Sequence, residues 1–312
     1  MAKVISMINW KGGVGKTTLT LHIGIGLNRA TRGRILLVDL DPQCNLSFLA
    51  LGVEDYVNKV YKQKTPTLKS IFDGYFNDSK ISANDVILTK SVNRSPGIVY
   101  SNVDIMLSHQ ELVLLDLTLA RSRKAGRDHK EETRNEIEKL AILNRVLSQI
   151  KDMYEYILLD CPPNVNLVTQ NAFYASDYYV VPAIPDFLST TGISLIKDYM
   201  KGFNKDFNGM HSYAGIEEIY NETKFGGIIF NMVDERNGGP KQTHAEAFKS
   251  VSLQHPGDVF KKYVTDGDGI SVAASVNLPV YAHSYLPRSN PNAKKQSEYL
   301  TDLVDEFIKK IV

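Results

Sequence analysis

Cysteine is scarce in this chain, and so are surplus charge and long apolar runs. The two cysteines, Cys44 and Cys161, lie far apart and in no metal-ligand spacing. That argues against a disulfide framework and makes a reducing cytosol the default compartment. Lys and Arg number 36 against 35 Asp and Glu, for a formal net charge of +1. A globally basic nucleic-acid binder is thereby excluded; such a role must rest on a local patch, or on a patch doubled by dimerisation. No stretch reaches the roughly 18 consecutive apolar residues of a membrane-spanning helix. The first residues hold only a short apolar run that leads straight into glycines, unlike a secretory signal. Internal repeats, low-complexity tracts and a clear linker are also missing.

What is present suits a large α/β domain. The chain has 312 residues, 43% hydrophobic and 23% charged, enough for a sizeable core under a soluble surface. Segments 3–9, 34–40, 102–107, 154–160, 177–184 and 225–232 read as strands, several apolar on both faces, and 278–281 as a last short one. Such strands suit a parallel sheet covered on both sides. Helices are expected at about 17–30, 67–76, 110–121, 132–151, 166–175, 189–203, 241–250 and 294–311. The alternation predicts one doubly wound, mostly parallel sheet with helices on both faces, a single domain over 1–312. Residues 52–66 and 204–224 have weak periodicity and read as loops or insertions.

The first strand runs into Lys11-Gly12-Gly13-Val14-Gly15-Lys16-Thr17-Thr18. Gly-Lys-Thr between a strand and a helix has a mechanical meaning. Backbone N–H groups wrap phosphates, and the helix N-terminus adds partial positive charge. Lys16 would reach the β- and γ-phosphates, and the Thr17 hydroxyl would ligate Mg²⁺. The strict P-loop pattern requires glycine at position 10, where this chain has Trp10.

Carboxylates stand at the ends of later strands. Asp39 and Asp41 close the second strand, at the edge where open α/β sheets bind ligands. Alternation would set both on one face. The run YEYILLD ends in Asp160, followed by Cys161-Pro162-Pro163. An apolar strand ending in Asp downstream of such a loop is a Walker B signal, its carboxylate holding Mg²⁺ directly or through water. Asn231 ends another apolar run. Its amide can pair with an adenine edge, since it both donates and accepts, or can cap a turn. Met232 beside it is a further base contact or a packing residue.

The loop K-G-G-x-G-K-T-T, the V-D-x-D-P-Q segment at 38–43 and the D-x-P-P segment at 160–163 together resemble the ParA/MinD family of deviant Walker A ATPases. The likeness covers most of the chain, fits ParA-type partition ATPases best, and is weakest at 52–100. The resemblance implies ATP and Mg²⁺ as cofactors. It assigns Lys11 to the γ-phosphate of a partner copy's ATP, a second cation for the charge that develops in phosphoryl transfer. It assigns Asp41 to the attacking water or to Mg²⁺, and Asn231 to adenine. Asp39 then becomes a nearby structural carboxylate.

The same resemblance implies a sandwich homodimer that binds duplex DNA nonspecifically. Slow hydrolysis, stimulated by a ParB-like or adaptor protein, would release it while a plasmid or chromosome locus is segregated in the cytoplasm on the nucleoid. A positioning ATPase for a protein organelle is the close alternative. A MinD-like membrane-cycling regulator and a metabolic P-loop enzyme are weaker ones. No helix-turn-helix extension precedes the loop, so operator-specific binding is not expected. The last helix carries an apolar stripe at Tyr299, Leu300, Leu303, Val304, Phe307, Ile308 and Ile311. Its polar face holds acids as well as lysines, so it is expected to dock on the core rather than on a membrane. Arg288, Lys294, Lys295, Lys309 and Lys310 are candidate phosphate contacts, with Lys241, Lys261 and Lys262 as further options. Singly each is a solvated surface charge; as a set on one dimer face they would give weak, salt-sensitive DNA binding.

Overall fold

The computed structural model describes residues 1–77, 79, 81–92, 100–122, 124–217, 220–286 and 290–311. Strands apolar at every position must be covered on both faces, and they form the middle of the sheet. The strands of the whole sheet, centre and edges, are β1 (Lys3–Met7), β2 (Ile35–Asp39), β3 (Ile87–Leu88), β4 (Val103–Met106), β5 (Tyr156–Asp160), β6 (Tyr178–Ala183) and β7 (Lys224–Phe230). Their order is β3-β4-β2-β5-β1-β6-β7. Among the described residues, only the two-residue edge strand β3 pairs antiparallel in this sheet. A small hairpin, β8 (Glu235–Arg236) and β9 (Gly239–Pro240), stands apart.

The helices are α1 (Lys16–Thr31), α2 (Asn45–Leu51), α3 (Val53–Val57), α4 (Leu68–Phe76), α5 (Ala83–Val86), α6 (Leu112–Arg121) and α7 (His129–Leu140). They continue with α8 (Ile142–Ser148), α9 (Leu167–Ala175), α10 (Phe187–Ala214), α11 (Gln242–Gln254), α12 (Gly269–Ser275) and α13 (Pro291–Lys310). Alternate residues of each central strand enter opposite cores. Val4, Leu36, Val38, Ile157 and Leu159 pack with Leu68, Leu112, Leu143, Phe173 and Ile196 from α4, α6, α8, α9 and α10. Ile5, Met7, Ile35, Leu37 and Leu158 pack with Leu19, Ile23, Leu46, Ala273 and Leu303 from α1, α2, α12 and α13. Each fully buried aliphatic side chain contributes about 1.5–3 kcal/mol.

The terminal helix docks on the core as expected. Leu300, Leu303, Val304 and Phe307 are buried, and α13 lies close enough to α1 that a Cβ on Gly26 would strike Val304 and the Tyr281 hydroxyl. No described helix is long and apolar enough to cross a membrane.

Four segments differ from the sequence reading. The expected strand at 278–281 is instead a 3₁₀ segment, Val280–Tyr285. The edge of β7 is already taken by the stretch around Val259 and Thr265, which bridges to Ile228 and Val233. Residues 52–66 are largely helical: α3 continues into a π-helical turn, Asn58–Lys62, held by buried Tyr56, whose hydroxyl donates to the Ser108 carbonyl at 3.1 Å. The helix expected over 132–151 is split between α7 and α8. The Asn171 amide intervenes there, accepting from Leu143 N–H and donating to the Lys139 carbonyl, both at 3.1 Å. The polar stretch from 204 continues α10 to Ala214, because Phe207 and His211 stack into an aromatic group with Tyr174 and Tyr220.

Candidate nucleotide and magnesium site

The loop 8–15 turns between β1 and α1 at the C-terminal edge of the sheet. Asn9 fixes its start, donating to the Pro182 carbonyl at 2.8 Å and accepting from Lys11 N–H at 2.9 Å. Gly13 and Gly15 have φ of 76° and 86°, a left-handed conformation that favours glycine. Gly15 is required twice over, because a Cβ there would also collide with the Asn231 amide. Gly12 and Gly13 are exposed, and Val14 is buried as the anchor of the turn.

Both loop lysines are engaged with the chain itself. The Lys16 ammonium donates to the carbonyls of Asn9 at 2.9 Å and Lys11 at 3.2 Å. Burial lowers its pKa, against the opposing pull of Asp160 and Asp41. Lys11 pairs with Asp186, its ammonium 2.9 and 3.2 Å from the two carboxylate oxygens. Asp186 was not anticipated as a site residue. Its signal was the one that marked Asp160: an acid just past an apolar strand.

The three strand-end carboxylates take different roles. Asp39 is fully buried and committed to the fold. It accepts from Asp41 N–H at 3.2 Å, from Ser47 N–H at 2.8 Å and from the Ser47 hydroxyl at 2.7 Å. It holds the loop that presents Asp41, so the two side chains are not equivalent neighbours on one face. Burial nevertheless pushes the Asp39 pKa up to about 7, with the Asp41 charge adding to it. Asp41 stands on the rim, and one of its oxygens accepts from Gln43 N–H at 2.9 Å. Asp160 pairs in register with Asp39 on the neighbouring strand. Burial and the Asp39 charge raise its pKa well above the carboxylate norm. One Asp160 oxygen accepts weakly from the Thr20 hydroxyl at 3.4 Å, and the other is buried without a partner.

That orphaned oxygen fits a cation. Among the described residues no group of three or more acidic, His or Cys side chains makes a full metal cage. A single open carboxylate oxygen fits Mg²⁺, which keeps several waters and takes one or two carboxylates plus phosphate oxygens. Asp160, Asp41 and the Thr17 hydroxyl could hold it.

Two adjoining hollows complete the site. One, of about 410 Å³, lies over Gly13, Gly15, Lys16, Thr17, Thr18 and Asp41. The other, about 240 Å³, has apolar walls from Leu21, Leu49, Ile270 and Leu278, with Asn231 and Met232 at its mouth. Thr18, Leu49 and Met232 line both. The first is rimmed by the glycine loop and its lysine, the second by apolar side chains. The Asn231 amide donates to the Val14 carbonyl at 3.1 Å, which couples the base hollow to the phosphate loop.

Most of the described basic residues proposed for DNA are engaged with the chain's own groups. Arg288 lies outside the described residues. Lys294 and Lys309 are exposed near opposite ends of α13, a helix of about 30 Å. Lys295 pairs with Glu235 at 2.5 Å. Lys310 caps the carbonyls of Gly257, Asp258 and Val259 at 3.0, 3.2 and 3.4 Å. Lys241 and Lys262 pair with Asp234 and Asp302, each at 2.6 Å, and the Lys261 N–H donates to Glu306.

The sheet order, the loop and the strand-end carboxylates define a P-loop nucleoside-triphosphatase fold. Residues 2–211 match the model of a family described as an AAA domain, and the chain belongs to that family, as a P-loop ATPase of the ParA/MinD type. An uncharacterized protein of Mycobacterium tuberculosis is 32% identical over 215 residues, 69% of this chain but only 57% of its own length. The chromosome-partitioning ATPase Soj of Treponema pallidum is 27% identical over 286 residues, 91% of this chain and 90% of the relative. The fold resembles that of a Cyanothece McdA variant in complex with ATP, with a TM-score of 0.71 at 16% identity, covering 99% of this chain and 96% of the other.

Proposed function

We propose that this chain is a ParA-type partition ATPase. ATP binds along the loop 11–18, with its base in the Asn231 hollow. Thr17, Asp41 and Asp160 would hold Mg²⁺, which would supply neutralisation of phosphate charge. Lys16 leaves the loop carbonyls for the β- and γ-phosphates. Asp41 also orients the attacking water. Lys11, released from Asp186, reaches the nucleotide of a second copy and closes a sandwich dimer. That dimer binds duplex DNA nonspecifically, and a ParB-like or adaptor protein stimulates hydrolysis and release. The observation that carries the reading is the buried, unpartnered Asp160 oxygen beneath a lysine-bearing phosphate loop. The printed name of the Treponema relative, a chromosome-partitioning ATPase, supports a DNA locus as cargo.

Asp41→Ala should keep nucleotide affinity within about threefold, cut hydrolysis about 100-fold and trap the dimer. Light scattering in saturating ATP·Mg²⁺ reads this, and a monomer there would contradict the mechanism. The DNA step predicts ATP-dependent, sequence-independent retardation of a duplex that weakens steeply with salt. No retardation at low salt and high protein would sink it.

A further inference from the structure

Neither the fold nor the nucleotide site uses the outer face of α6. That helix is apolar on nearly every side. Leu112, Leu115 and Leu119 are buried, while Val113, Leu114 and Leu117 are 54%, 60% and 54% exposed. A helix hydrophobic all round is ordinarily covered all round. Leu114, Leu117 and Arg121 follow at helical spacing along one line. The sequence then reads RSRKAGRDHK over 121–130, five basic residues against one acid. Arg121, Lys124, Arg127 and Lys130 are exposed. The nearby acids are turned to their own partners. Asp128 caps α7 by accepting from Glu131 N–H at 2.9 Å, and Glu131 accepts from Arg127 N–H at 2.7 Å. Glu132 meets His129 at 3.1 Å and Glu136 meets Lys139 at 2.9 Å. A groove of about 640 Å³ extends the surface toward α10; Ala120, Ala125 and Met210 line it together with Lys124, whose ammonium lies 4.5 Å from the Tyr75 ring centre, and with Glu132 and Glu136, which are paired with His129 and Lys139.

The segment leading into this helix and the middle of the helix are each tied to a carboxylate-bearing loop or its following helix. Just before α6, the Ser108 hydroxyl donates to the Asp41 carbonyl at 2.7 Å, and Ser108 N–H donates to the Ser47 hydroxyl that holds Asp39. Within α6, buried Asp116 accepts from Val168 N–H at 3.3 Å, in the helix that follows the Asp160 loop.

We propose that the outer face of α6 and the basic segment after it form the docking surface for an acidic, amphipathic segment of a partner protein. Its apolar side chains cover Val113, Leu114 and Leu117, and its carboxylates meet Arg121, Lys124 and Arg127. Docking is felt at Asp41 and Asp160 through Ser108 and Asp116; this second half rests on the ATPase reading above. A phosphate backbone offers nothing to three exposed aliphatic side chains. A two-fold-related copy would bring the basic segment toward its own counterpart. Three apolar side chains on a ten-residue helix are too few for lasting membrane anchorage.

The test uses the full chain and a labelled helical peptide with leucines on one face and glutamates on the other. Fluorescence anisotropy compares it with the same peptide bearing lysines. The glutamate peptide should bind about tenfold more tightly or better, a gap that shrinks with salt. Leu114→Asp with Leu117→Asp, exposed sites that spare the fold, should weaken it about tenfold, and Arg121→Glu with Lys124→Glu as much. Equal binding of both peptides would overturn the proposal. So would peptide binding untouched by these variants while binding of a DNA duplex or of phosphatidylserine vesicles is lost, or a dimer that becomes a monomer in sedimentation. If the peptide docks and ATP turnover stays flat, the coupling half fails. A chain that binds no nucleotide defeats the ATPase reading alone, because anisotropy still reads the surface.

Discussion

Asp104 and Asp160 are buried carboxylates toward opposite ends of one sheet, in β4 and β5, with β2 between them. Asp104 has its compensation built in. One of its oxygens lies 2.5 Å from an Arg34 guanidinium nitrogen and accepts from the Tyr154 hydroxyl at 2.9 Å. The Arg34 pKa is raised by that hydrogen bond. Asp160 has a hydroxyl at 3.4 Å and, among the described residues, no cation within ion-pair distance; the Lys16 ammonium attracts it from nearby but is hydrogen-bonded to loop carbonyls. Each leaves one oxygen without a hydrogen bond, yet of the two only Asp104 is directly paired with a cation. A carboxylate closed by its own chain serves stability. One left open beneath a phosphate loop costs stability until a cation arrives.

The largest effect expected is on the open side. Lys16→Ala should lower nucleotide affinity about 100-fold or more, measured with a fluorescent ATP analogue, because a desolvated charge contact to phosphate is lost. Wild-type affinity would remove Lys16 from its role. The next test sets the two aspartates directly against each other by urea unfolding in Mg²⁺-free buffer above neutral pH. Asp104→Asn should cost about 1–3 kcal/mol, nearer the low end because Arg34 is partly solvated. Asp160→Asn should leave stability unchanged or raise it by about 1 kcal/mol, while abolishing the Mg²⁺ dependence of nucleotide binding. Equal destabilisation by both would erase the distinction.

The smallest effect is in pH. Asp39, at about 7, and Asp160 hold protons in the folded state that the unfolded chain releases near 3.8. Unfolding therefore releases protons between those values. Stability from this pair is greatest below the unfolded pKa and falls as pH rises toward neutrality. Mg²⁺ should flatten the decline, and Asp160→Asn should reduce it. A urea midpoint that rises between pH 5 and 7 from this pair would reverse the sign.

Much of this was legible in the chain itself. Doubly apolar runs can satisfy themselves only inside a covered parallel sheet, so β1, β2, β5 and β6 were readable, and the residues at their ends with them. Helix limits were less so. Asn171 splits α7 from α8 from another part of the chain, and Tyr56 finds Ser108 to order a stretch of weak periodicity. The lysines of α13 show the same limit, since sequence counts charges and only packing shows that Lys295 and Lys310 are already spoken for.

The sequence by itself determined the phosphate loop, because glycine, lysine and threonine act through local backbone geometry and helix polarity over eight consecutive residues, 11–18. Tertiary structure decided what surrounds that loop. It separated Asp39 as a structural anchor from Asp160 with its unpartnered oxygen, set Asp186 against Lys11, and left one side of α6 uncovered. Those outcomes depend on burial and on partners tens to hundreds of residues away, which no local pattern encodes.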